Sequence, residues 1–147
     1  MSRGGRFRFS LETVLKVRGL REEQAKLEVA LAQKELERSH RALEQTRNLR
    51  QNLVGDLKSG EKEWTPQDFS IFKAYLEHLK ITVEDLQRRI GEQEADVQKK
   101  KELLKQRYQE RRLLERLREK QFAQFRREMM KLMESETEAI VLGRWGR

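Results

Sequence analysis

Residues 59–69 read SGEKEWTPQDF and contain the only proline of the chain. Gly60 can take the left-handed backbone conformation that closes a helix. Thr65 is placed to cap a second helix, with Pro66 in the first helical position, where a missing N–H does no harm. Asp68, three residues past the cap, can return a bond to the backbone as the Glu of a capping box does. Trp64 and Phe69 stand at the two positions of a hydrophobic staple. Together these residues predict a tight corner with a helix on each side.

Upstream of the corner, apolar or small residues recur at alternating spacings of four and three: Leu11, Leu15, Ala25, Val29, Ala32, Leu36, Leu43, Leu53 and Leu57. This is the seam of a left-handed coiled coil. Arg18, Glu22, Ser39, Thr46 and Arg50 interrupt it with polar side chains, and Ser10 precedes it as an N-cap. Downstream, the frame runs through Phe72, Leu76, Leu79, Val83, Leu86, Ile90, Val97, Leu104, Leu114, Phe125 and Leu132. Gln93, Lys100, Arg107 and Gln121 make alternate positions polar after Ile90.

The expected fold is therefore all-α, an antiparallel two-helix coiled-coil hairpin whose second helix is longer than the first. As one rod-like domain over 1–147 it divides into a flexible N-terminus (1–10), helix 1 (11–58), a corner (59–65), helix 2 (66–142) and a frayed tail (143–147). Folding about residues 61–63 sets Leu53 near Phe72, Leu43 near Val83, Val29 near Val97 and Leu11 near Leu114. Arg18, Glu22, Arg107 and Arg111 are candidates for pairing across the seam.

Composition agrees. The 147 residues suit one domain, and 39% charged against 36% hydrophobic residues is the balance of long helices, not of a thick core. Absence of cysteine excludes a disulfide scaffold and a thiolate metal site, and fits a reducing compartment. No apolar run approaches the ~20 residues that cross a bilayer. The basic N-terminus lacks the apolar core and cleavage site of a signal peptide, so the expected location is the cytoplasm. His40 and His78 lie on different helices with no second ligand at metal spacing, so each reads as a solvated polar residue. There is no phosphate-binding glycine loop and no sheltered nucleophile–base pair. The expectation is no enzyme, no cofactor, no metal and no small-molecule substrate.

The net charge of +8 is unevenly placed. Residues 99–131 carry thirteen Lys/Arg against five Asp/Glu, whereas residues 51–98 carry six against ten. A basic coiled coil that binds nucleic acid is one alternative. Interleaved acidic residues and the lack of a groove-reading motif weigh against it, and a solvated basic face is the plainer reading.

The unequal helices raise a sharper question. On this register the first helix is exhausted near Leu114, leaving the stretch KQFAQFRREMMKLM (120–133) with nothing to pack against. Leu117, Phe122, Phe125, Met129, Leu132 and Met133 share a broad helical face. Exposing such side chains forgoes roughly 1.5–3 kcal/mol of burial each. Either the N-terminal RFRF segment folds over them, or the chain dimerises through them as a homodimeric scaffold, or a different protein covers them.

Residues 7–26, FRFSLETVLKVRGLREEQAK, resemble the opening of the FliJ family, small coiled-coil components of the bacterial flagellar type III export apparatus. The residues that carry the likeness are Phe9, Leu11, Val14, Leu15, Arg18 and Glu22. Trp64 followed by Phe72, Leu76 and Leu79, and the stretch LLERLREKQFAQFRREMMKLMESE, extend it over nearly the whole chain; Met133 stands where the family often has Asp. The resemblance implies a fold like the central stalk of rotary ATPases. It implies a protein that inserts its joined termini into a hexameric export ATPase and touches a membrane export gate, with export chaperones as further candidate partners. On that basis Phe7, Phe9, Leu11, Val14, Arg18, Leu117, Phe122, Phe125, Met129, Leu132 and Met133 are the expected ATPase-binding residues. The resemblance assigns Phe72, Leu76 and Leu79 to the gate, although all three are seam positions. Phe69, Ile71 and Tyr75 lie off the seam and offer a surface instead. The chain is expected to be a monomer when free, associated peripherally with the inner membrane at the flagellar base. The equivalent stalk of a virulence injectisome is the alternative within this class.

Overall fold

The computed structural model describes residues 5–60 and 63–145. It contains two helices, α1 (Glu12–Ser59, 48 residues) and α2 (Pro66–Trp145, 80 residues). They form an all-α antiparallel hairpin with the second helix the longer.

The corner uses the chemistry its residues offer. Gly60 has φ of 67°, the left-handed conformation in which a Cβ would be strained. The Asp68 N–H donates to Thr65 Oγ1 at 3.1 Å, and the Thr65 N–H donates to Asp68 Oδ2 at 3.2 Å. Asp therefore completes the reciprocal cap that a Glu usually makes. The staple is different from the expected one. Trp64 packs edge-on against Phe72, with ring centroids 5.0 Å apart, and Phe69 is exposed. Phe72 is the first buried position of α2, so the seam, not the fourth helical residue, receives the indole. Glu61 and Lys62, about which the chain was expected to fold, lie outside the described residues.

The molecule divides into two compact units. The corner unit, residues 25–103, is held by apolar layers. Ala25, Val29, Ala32 and Leu43 of α1 are buried, as are Phe72, Leu79, Leu86, Ile90 and Val97 of α2. Leu43, Leu86 and Ile90 form a cluster onto which Leu36, Ala42 and Val83 pack, which keeps Leu43 in the neighbourhood of Val83. Small buried residues, Ala25, Ala32 and Ser39, alternate with larger ones, so the two helices can approach closely. Thr46, a polar seam residue, donates its hydroxyl to the Ala42 carbonyl at 2.8 Å, so its hydroxyl is satisfied within its own helix.

The terminal unit comprises the described parts of 1–24 and 104–147. Leu11 was expected beside Leu114, and its neighbour Glu12 accepts from Arg118 at 3.0 Å. Long helical side chains lean toward the N-terminus of their own helix, so such a pair spans about one turn along α2. Positions 66–71 are all exposed and burial starts at Phe72.

Both termini also differ from expectation. Residues 1–10 were expected to be flexible, but Phe9 is buried at 6% exposure and its carbonyl accepts from the Glu12 N–H at 3.1 Å, the role expected of the Ser10 hydroxyl. The anchor is apolar, two aromatic rings seeking cover. At the other end α2 continues through Gly143 to Trp145. A helical glycine is tolerated at a cost of roughly 1 kcal/mol relative to Ala, which does not stop a helix of this length.

Candidate docking surfaces

Polar seam positions give the terminal unit its character. Arg18 donates to Glu110 Oε2 at 2.8 Å, and Arg107 reaches the same carboxylate at 3.4 Å. Glu22, only 5% exposed, pairs with Arg111, which also donates to Glu115 at 2.5 Å. Arg112 joins Glu115 at 3.0 Å and Glu119 at 3.3 Å. Hydrogen bonds that Arg111 donates to Glu22 and then to Glu115 raise its pKa further above its ordinary value. The same Arg111 bond, with Arg112 assisting, holds the Glu115 carboxyl below its usual range. The Arg111 guanidinium also lies 5.3 Å from the centre of the Tyr108 ring. The buried carboxylate is thus matched by a guanidinium that also engages Glu115, and such pairing is the condition for tolerating a buried charge.

Next to this ladder the N-terminal arm meets α2. The Phe7 ring packs edge-on to Phe122 at 5.2 Å and tilted on Phe125 at 5.6 Å. So the RFRF segment does cover part of the expected overhang, as one of the three readings had it. The cover is partial. Phe122 remains 44% exposed, and Phe125 and Met129 are half-buried. From residue 130 onward every described residue is exposed, including Leu132, Met133, Ile140, Val141, Leu142 and Trp145. Beyond Arg118, where Glu12 pairs, α2 runs on for about 40 Å at the helical rise.

The expected ATPase-binding residues therefore fall into three groups. Phe7, Phe122 and Phe125 come together where the arm meets α2, and Phe9 is buried two residues farther along the arm. Leu11, Val14, Arg18 and Leu117 belong to the paired part of the terminal unit, with Val14 and Leu117 exposed and Arg18 engaged with Glu110. Met129, Leu132 and Met133 belong to the unpaired part of α2. Sequence reading overlooked the exposed apolar residues Val17, Leu20, Leu113 and Met130. A frame that follows only the seam does not examine the outer positions.

At the corner, the seam residues expected to meet an export gate are occupied internally. Phe72 and Leu79 are buried and Leu76 is half-buried. The exposed residues are Phe69, Ile71 and Tyr75, the last stacked on His78 at 6.4 Å. A groove of about 420 Å³ lies along one face of the end of α1, lined by Arg47, Arg50, Gln51, Val54, Gly55 and Lys58. His40 Nε2 is 3.9 Å from Glu94 Oε1. Among the described residues, no group of three His, Cys, Asp or Glu side chains could hold a metal ion, and no helix is long and apolar enough to cross a membrane.

Paired helices bearing a helical extension with exposed apolar side chains define a coiled-coil protein. The chain belongs to the FliJ family: the family model described as flagellar FliJ protein matches residues 7–134. It is thereby a component of the flagellar protein export apparatus. No curated protein and no solved structure matches it.

Proposed function

We propose that this chain is the non-enzymatic stalk that couples the hexameric flagellar export ATPase to the membrane export gate, working in the cytoplasm at the flagellar base. The terminal unit docks in the ATPase, and the corner unit meets the gate through Phe69, Ile71 and Tyr75. The observation that carries the reading is the surplus of α2: its apolar face outlasts both α1 and the described part of the N-terminal arm, and Leu132 and Met133 are exposed. Flexible methionines suit an irregular or changing partner surface. The basic stretch 99–131 supports a protein partner over nucleic acid, because Arg107, Arg111, Arg112 and Arg118 are already engaged by carboxylates.

The test is co-purification of the full chain with the cognate ATPase, together with hexamer formation and ATP hydrolysis. Wild type should bind and promote both. Phe122→Ala with Phe125→Ala should weaken binding about a hundredfold, the scale of an aromatic hot-spot pair, with helicity nearly unchanged. Wild-type protein that neither binds nor stimulates the ATPase at moderate salt refutes the stalk role.

A further inference from the structure

Four aliphatic side chains that seam packing does not require sit on one flank of the terminal unit. Val14 and Leu117 directly precede the seam residues Leu15 and Arg118, and antiparallel helices face each other through these flanking positions. Val17 and Leu113 are the next positions outward. The ion pairs Glu12–Arg118 and Arg18–Glu110 bracket all four along the helices. Leu113 is 70% exposed, and the other three lie between 37% and 41%.

The patch has definite limits. Toward the inner side its positions become Arg21, Gln24, Glu110 (engaged by Arg18 and Arg107) and Gln106, and toward the outer side Ser10 and Lys120. Arg21, Arg116 and Lys120 are exposed at its rim. An apolar centre with a charged rim is the anatomy of a protein-binding surface, whereas a solvated helix face carries Lys, Glu and Gln throughout.

We infer that this flank seats an acidic amphipathic helix of the export ATPase, which lies against α1 and α2 as a third strand. The inference rests on the stalk reading and names what grips the stalk. Two packed helices present ridges and a groove into which the ridge of another helix fits. Positive rim residues select acidic neighbours on that helix. They also disfavour a second copy of this chain, which would bring like charges together. Aliphatic side chains offer bases no stacking platform, which argues against single-stranded nucleic acid.

The test pairs Val17→Glu with Leu113→Glu in the full chain. Both sites are exposed, so circular dichroism should show the helices intact. Binding to the hexameric ATPase should weaken about tenfold or more. Arg116→Glu with Lys120→Glu should weaken it also and flatten its salt dependence. If wild type binds and the Phe122/Phe125 variant loses binding while the Val17/Leu113 variant binds as wild type does, this inference falls and the stalk reading stands. If wild type does not bind at all, both fall. Sedimentation equilibrium that finds a wild-type dimer abolished by the Val17/Leu113 changes also overturns the inference, because the occupant is then another copy.

Discussion

The corner unit and the terminal unit continue the same two helices but are held together by different forces. Between residues 25 and 103 the seam is apolar, with Leu43, Leu86 and Ile90 in one cluster. In the terminal unit, where residues 12–22 meet residues 107–118, it carries guanidinium and carboxylate groups, with Glu22 and Arg111 paired. Burial of aliphatic surface gives non-directional stabilisation that salt does not screen. Ion pairs of exposed groups give little net stability but discriminate between registers, because a slipped helix leaves charges unmatched. One unit thus supplies strength, and the other fixes alignment while remaining easier to open.

The largest expected effect lies in the first unit. Leu43→Ala should destabilise it by about 2–4 kcal/mol, since the cluster loses one of its three buried members and a cavity replaces it. Thermal melting measures the loss, and hydrogen exchange on peptides from 25–103 should report it locally. A change below about 1 kcal/mol would show that the layers are too loose for the contrast drawn here.

Glu22 tests the second unit at a smaller scale. Glu22→Ala should cost about 1–2 kcal/mol, discounted from the fully buried case because Arg111 is partly exposed and keeps Glu115. Glu22→Leu should be close to neutral, since it restores an apolar seam. Equal losses from both substitutions would indicate that the ion pair itself stabilises, contrary to its expected role in alignment.

The smallest effect is that of acid. The Glu115 carboxyl is held below its ordinary value of 4.5 by Arg111 and Arg112. Its contribution is present above that ordinary value and is lost as pH falls through the depressed one. A third of its side chain is exposed, so the loss should be about 0.5 kcal/mol. Exchange at pH 3 against pH 6, corrected for intrinsic rates, should rise in peptides covering 104–118 more than in those covering 83–97.

What sequence revealed follows the same division. The corner was legible because Gly60, Thr65, Pro66 and Asp68 each act within a few bonds of their own backbone. The apolar seam was legible because a four–three repeat has one geometric meaning. Pairing across the seam by Arg18, Glu22 and Arg111 was foreseen, whereas Arg107 meets Glu110 of its own helix; Glu110 and Glu115 lie outside the seam and carry no periodic signal. The seat of Phe7 on Phe122 and Phe125 had no local signature either, because RFRF is too short to show a period. Family membership was legible in the spacing of Phe9, Leu11, Val14, Leu15, Arg18 and Glu22. The outward-facing Val17 and Leu113 became visible only with the fold.

The lateness of Arg118 has a consequence for how the chain is made. Its partner Glu12 is 106 residues earlier in the sequence. During synthesis α1 leaves the ribosome whole, with its seam open to water, before any strand able to cover it exists. Pairing can begin at Phe72 and spread residue by residue away from the bend, each step lengthening the closed loop only slightly. The charged contacts are then the last to close and the first to part, so the newborn molecule zips from strength toward alignment.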